Sequence, residues 1–152
     1  MRFSSDRQRK AVFASMNKFS DAPDVTYAPT TIGGGVDGSV FAREPFETER
    51  KHKLMPDDLK SKIPKLYSQE NEKDPIVYAK YFTPRSNWTW YATEFDGTDR
   101  FFGLVVGFEP ELGYFSLDEM ANVVGADGMP EVERDMYFSP KKLSEVKKSE
   151  GI

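Results

Sequence analysis

A chain of 152 residues, with 38% hydrophobic and 30% charged side chains, is one ordinary domain or a smaller domain with a long extension. It contains no cysteine, which excludes disulfides, thiolate nucleophiles and cysteine zinc sites, and no apolar run approaches the roughly 20 residues that span a bilayer. The formal net charge of -4 conceals a segregation: residues 1–18 carry a net +4, whereas residues 86–135 hold eleven carboxylates against two arginines, a net -9.

The opening MRFSSDRQRK has charge but no following apolar stretch, so no secretory signal and a cytoplasmic location are expected. Residues 5–17 read as a short basic amphipathic helix: Ser4 or Ser5 caps it, Asp6 sits at its positive end, and Arg7, Arg9 and Lys10 fall away from Ala11, Val12, Phe13 and Met16. From about 19 to 50, Pro and Gly punctuation without period predicts an irregular arm, with at most one short strand near Val40. Residues 1–50 are therefore expected to be separable from a compact domain at 53–149.

In that domain, Pro56 suits a first helical position and Asp57 and Asp58 a first turn, which predicts a helix over 56–63 that Pro64 ends. PIVYAKYF reads as a strand. NWTWYATEF and RFFGLVVGF form a hairpin through Asp96-Gly97-Thr98-Asp99, where Gly supplies positive φ. Ser116 is the candidate cap of a helix over 117–123, VERDMYF a last strand, and Ser139-Pro140 the start of a Lys-rich helix to 148. Local helices among hairpin-joined strands predict an α+β fold: an antiparallel sheet of three to five strands with short packed helices, preceded by the basic helical arm.

The aromatic hairpin is either a core or a binding platform. Strict alternation puts Trp88, Trp90, Ala92 and Glu94 on one face and Thr89, Tyr91, Thr93 and Phe95 on the other. On the next strand Phe102, Leu104, Val106 and Phe108 form a wholly apolar face that predicts core, while Gly103 and Gly107 permit close packing or leave a groove roofed by rings.

The strings LYSQE, KYFTPRSNWTWY and FFGLVVGFEPELGYFSL, with the later ERDMYFSPKKLSEV, resemble a domain family of unknown function found on phages, plasmids and integrated conjugative elements, over about residues 53–146. The resemblance implies a mobile-element accessory protein, sometimes a module of large polyvalent proteins, and brings no reaction, cofactor or catalytic residue with it. FSSDRQRKAVFA resembles a short lead-in of phage and archaeal element proteins.

His52, the single histidine, lies among Arg50, Lys51 and Lys53, a setting that lowers its proton affinity and reads as an exposed basic cluster. IGGGVDGS lacks the Gly-Lys-Ser/Thr ending of a phosphate loop and reads as linker. EPELGYFSLDE gathers Glu109, Glu111, Asp118 and Glu119, which are most simply solvated and otherwise suit a magnesium or manganese ion. No catalytic, cofactor or metal residues are assigned, and an enzyme ranks third. The first candidate function is binding of a host or element protein, with counter-defence as one such role, through an acidic surface of Glu94, Asp96, Asp99, Glu109, Glu111, Asp118 and Glu119. The second is nucleic-acid binding: Arg7, Arg9 and Lys10, helped by Lys51, Lys53, Lys60, Lys62 and Lys65, hold phosphates while Trp88 and Trp90 stack on bases. No membrane partner is expected.

Overall fold

The computed structural model describes residues 25–27 and 44–152. The predicted basic helix and the strand near Val40 lie outside the described residues. In chain order the elements are β1 (Val25–Tyr27), α1 (Glu47–Arg50), α2 (Asp57–Lys62), β2 (Ile76–Val77), β3 (Ala79–Phe82), β4 (Thr89–Phe95), β5 (Arg100–Val106) and β6 (Pro110–Ser116). They continue with α3 (Leu117–Asn122), β7 (Val123–Gly125), β8 (Glu133–Arg134), β9 (Lys141–Lys142) and α4 (Leu143–Glu150). β3, β4, β5, β6 and β8 form one antiparallel sheet in the order β6-β5-β4-β3-β8, while β1 pairs with β7 and β2 with β9. The α+β expectation holds for the described residues.

The hairpin forms where the Asp-Gly turn places it, but alternation along β4 breaks. The register with β5 shifts between Ala92 and Glu94, leaving Thr93 as the extra residue of a β-bulge. Phe95 therefore joins Trp90 and Ala92 on one face, and Glu94 crosses to the side of Tyr91, the reverse of the expected phase. Gly103, opposite Ala92, is what lets the two backbones close at this point, because a Cβ there would lie 1.8 Å from the Tyr91 carbonyl oxygen.

The larger core lies on the face carrying Tyr81, Trp90, Phe95, Phe101 and Phe115, against Leu54 and Ile63 and against Met120 of α3. Phe101 is at its centre, 4.5 Å from Phe95, 4.9 Å from Phe115 and 5.5 Å from Tyr81 between ring centroids. The face expected to be core, 102 to 108, is covered in part: Leu104 packs with Tyr91, Val77, Leu143 and Val146, and Phe102 with Tyr114, whereas Phe108 lies beyond the end of β5 in solvent.

Three boundaries differ from those the sequence suggests. PIVYAKYF splits into β2 and β3, because the Tyr78 amide already donates to Ala92 while β2 turns aside to β9. VERDMYF is strand only at 133–134, and a turn follows. The last helix starts at Leu143, where the Asp74 carboxylate accepts bonds from the Ser144 amide and hydroxyl. Packed structure also begins by residue 44: the buried Arg50 guanidinium donates to the carbonyls of Val132, Ala121 and Pro45, and Glu44 accepts the Leu54 and Met55 amides.

Candidate functional site

The seven carboxylates read as one acidic surface occupy three environments. Glu94 is 1% exposed. The bulge turns it away from the larger core to the Tyr91 face, where its two oxygens accept the Tyr67 and Gln69 amides at 2.8 Å each. It anchors the loop between α2 and β2, with Tyr67 held at a φ of 70°.

Asp96, Asp99, Asp118 and Glu119 come together at one end of the sheet, since Arg100 of β5 pairs with Ser116 of β6. Most of their capacity is spent locally. Asp96 Oδ1 accepts the amides of Thr98, Asp99 and Arg100 and closes the hairpin turn, and these bonds hold its carboxyl below the usual range although burial acts the other way. Asp99 accepts the Ser116 hydroxyl and the Asp118 amide, which caps α3 from a neighbouring element, while Ser116 accepts the Glu119 amide as predicted. Burial, and next the charge of Asp99, push the Asp118 and Glu119 carboxyls above their ordinary values.

Glu109 and Glu111 sit at the opposite end, separated from Asp118 and Glu119 by the length of β6. Sequence proximity misleads here, because an extended strand carries its two ends far apart. This second end has a different character. Phe108 follows β5 and is 80% exposed. Its ring meets the edge of Trp88 at 5.5 Å and 80°, and Trp88 stacks on Trp90 at 5.9 Å. Trp88 is itself fixed: its amide and carbonyl bond to Thr83, and its ring covers Gly107, where a Cβ would come within 2.6 Å. In the same β3–β4 turn, Arg85 reaches Asp127 at 2.9 Å and Glu131 at 2.6 Å, tying that turn to the loop after β7. The result is an exposed ring on a rigid aromatic support, followed directly by Glu109, Pro110 and Glu111.

Trp88 and Trp90 are buried and stacked on each other, which removes them as a base-stacking platform. Arg7, Arg9 and Lys10 lie outside the described residues. His52 has the expected lowered proton affinity, from burial first and then from Arg50 and Arg134, but it is bound into the fold: Nε2 accepts the Arg134 amide at 3.0 Å, and Nδ1 faces the Arg50 carbonyl at 3.1 Å. Among the described residues no group of side chains has metal-ligand geometry, and no helix is long and apolar enough to cross a membrane. A cleft of about 680 Å³ lies between the 64–76 segment and Lys142. The amide of its Gln69 is consumed by Ile76 and Thr93.

The exposure of Phe108 departs from the core face expected for it. Its signal was its place after Gly107 and before Glu109-Pro110, where a strand must already be ending. A family model described as "Protein of unknown function (DUF2958)" matches residues 49–148. No curated protein and no solved structure matches the chain.

Proposed function

Since the chain belongs to this family of proteins of unknown function, no reaction is inherited with its fold, and we propose that it is a non-enzymatic module that binds another protein through Phe108 and the acidic rim of Glu109 and Glu111. The observation that carries this reading is a large aromatic side chain left 80% exposed while held against Trp88. A ring presented in this way has little conformational freedom to lose, and aromatic anchors dominate interface energetics. Burying it in a partner's pocket contributes roughly 1.5–3 kcal/mol. The neighbouring carboxylates select a pocket rimmed by Lys or Arg and speed association. The sequence resemblance to proteins of phages, plasmids and conjugative elements supports an accessory role in the cytoplasm, in which the partner is a host or element protein and counter-defence is one use.

The test is capture from nuclease-treated host lysate by the wild type, by Phe108→Ala and by Glu109→Gln/Glu111→Gln. Phe108→Ala should weaken capture about tenfold or more, the scale of a hot-spot truncation, with an unchanged melting temperature. The double charge variant should slow association and lose its salt dependence. Equal capture by Phe108→Ala, or capture that nuclease abolishes, overturns the reading.

A further inference from the structure

After β8 the chain makes a tight turn at residues 135–138. The Asp135 amide donates to the Lys80 carbonyl, and Asp135 then accepts twice: its carboxylate takes the Tyr137 amide at 2.9 Å and its carbonyl takes the Phe138 amide at 3.3 Å. The turn lifts Met136 and Tyr137 out of the domain, and Tyr137 is 94% exposed. Phe138 returns to the surface of the sheet 6.2 Å from the Tyr91 ring. Two cations lie over these rings: Lys80 Nζ is 5.7 Å from the centre of Tyr91, and Lys141 Nζ is 5.0 Å from the centre of Phe138. Two carboxylates lie beside these rings, Asp135 accepting the Tyr137 amide within the turn and Glu150 accepting the Tyr91 hydroxyl. On α4, next in the chain, Lys147 and Lys148 stand against Glu145 and Glu150.

We propose that this turn, with Lys80 and Lys141, is a binding surface for single-stranded nucleic acid. The chemistry is the alternation of cations and rings: lysines hold successive phosphates, and an unpaired base stacks on Tyr137. A duplex keeps its bases stacked on each other and offers a convex, exposed ring nothing to receive it. An acidic peptide would satisfy the lysines and leave the face of Tyr137 unused. The surface is separate from the Phe108 end, at the other end of β3, and it does not depend on the protein-binding reading.

The experiment is a fluorescence titration of the full chain against a labelled oligothymidylate of about 20 nucleotides, long enough for one site, beside a duplex of equal length and a polyglutamate peptide. The single strand should bind most tightly. Tyr137→Ala should weaken it about fivefold or more, the low end for one stacked base, and Tyr137→Phe should not. Lys80→Gln with Lys141→Gln should weaken binding and reduce the log–log salt slope by about 1.4, two phosphates at roughly 0.7 each. Tyr137→Trp should add exposed indole emission that the oligonucleotide quenches, and Phe108→Ala should bind as the wild type does. At its exposure Tyr137 supports no core, so each Tyr137 variant should keep the wild-type melting temperature. Absence of binding, tighter binding of duplex or polyglutamate, indifference to Tyr137→Ala, or affinity residing entirely in Arg7, Arg9 and Lys10 overturns the proposal.

Discussion

At the scale of single residues, charged side chains here serve as internal fasteners. Glu94 exchanges water for two backbone amides, and hydrogen bonds to a buried charge are among the stronger ones a fold can make. Arg50 performs the reciprocal task with three carbonyls. His52 links these effects to acidity. Its Nε2 accepts the Arg134 amide, so the ring proton resides on Nδ1 facing the Arg50 carbonyl, and a second proton would displace a bond. Burial, and then the charges of Arg50 and Arg134, depress the affinity of the folded His52 for that proton, although the Arg50 carbonyl acts the other way. A depressed value gives stability that is intact above the unfolded value of about 6.5 and lost as pH falls through the folded one. Between about pH 7 and 5 the urea midpoint of the wild type should fall more than that of His52→Gln; equal slopes would remove His52 from the linkage. Only the direction of this shift was legible in the basic neighbours of His52, since the two hydrogen bonds come from residues far along the chain and from local backbone.

Among elements, legibility followed locality. The Asp-Gly hairpin, the Ser116 cap and the helix after Pro56 are set by contacts within a few residues, and each was readable. The bulge in β4 was not, because Thr93 is an ordinary strand residue and the extra position is fixed by the partner strand. One unread residue reversed every face assignment after it on β4, which moved Glu94 to the Tyr91 face and Phe95 into the larger core. β9 and the split between β2 and β3 also escaped, since two-residue pairings have no periodicity to detect. The bulge makes a sharp demand on β5. Gly103→Ala would put a methyl group into the backbone of Tyr91, and it should cost about 3 kcal/mol or more, or prevent soluble folding. A variant with an unchanged denaturation midpoint would show that the strands can separate there at little cost.

For the whole molecule, the net -9 of residues 86–135 does not become one field. Glu94 is internal, Asp96 closes the hairpin turn, Asp99 caps α3, Asp127 and Glu131 engage Arg85, Glu133 and Asp135 lie on and just after β8, and the other four divide between the two ends of the sheet. Charge counted along the sequence therefore overstated a continuous acidic surface, while the aromatic count correctly suggested a core and hid Phe108 and Tyr137, the most exposed rings among the described residues. The pairing of β1 with β7 adds a property of another kind. Thr26 faces Val124 across the ladder, and opposed residues in antiparallel strands have Cα atoms about 4.5–5.5 Å apart, within disulfide reach. Because the chain has no cysteine of its own, a pair introduced at these positions has no competitor for oxidation. Thr26→Cys/Val124→Cys should close a covalent ring of roughly 100 residues, and the lost freedom of the unfolded chain should raise stability by about 4 kcal/mol, reversed by dithiothreitol. Failure to form an intramolecular bond under mild oxidation would separate β1 from β7. Success would make the attachment of this strand a quantity that a reducing agent can set, with the rest of the sequence unchanged.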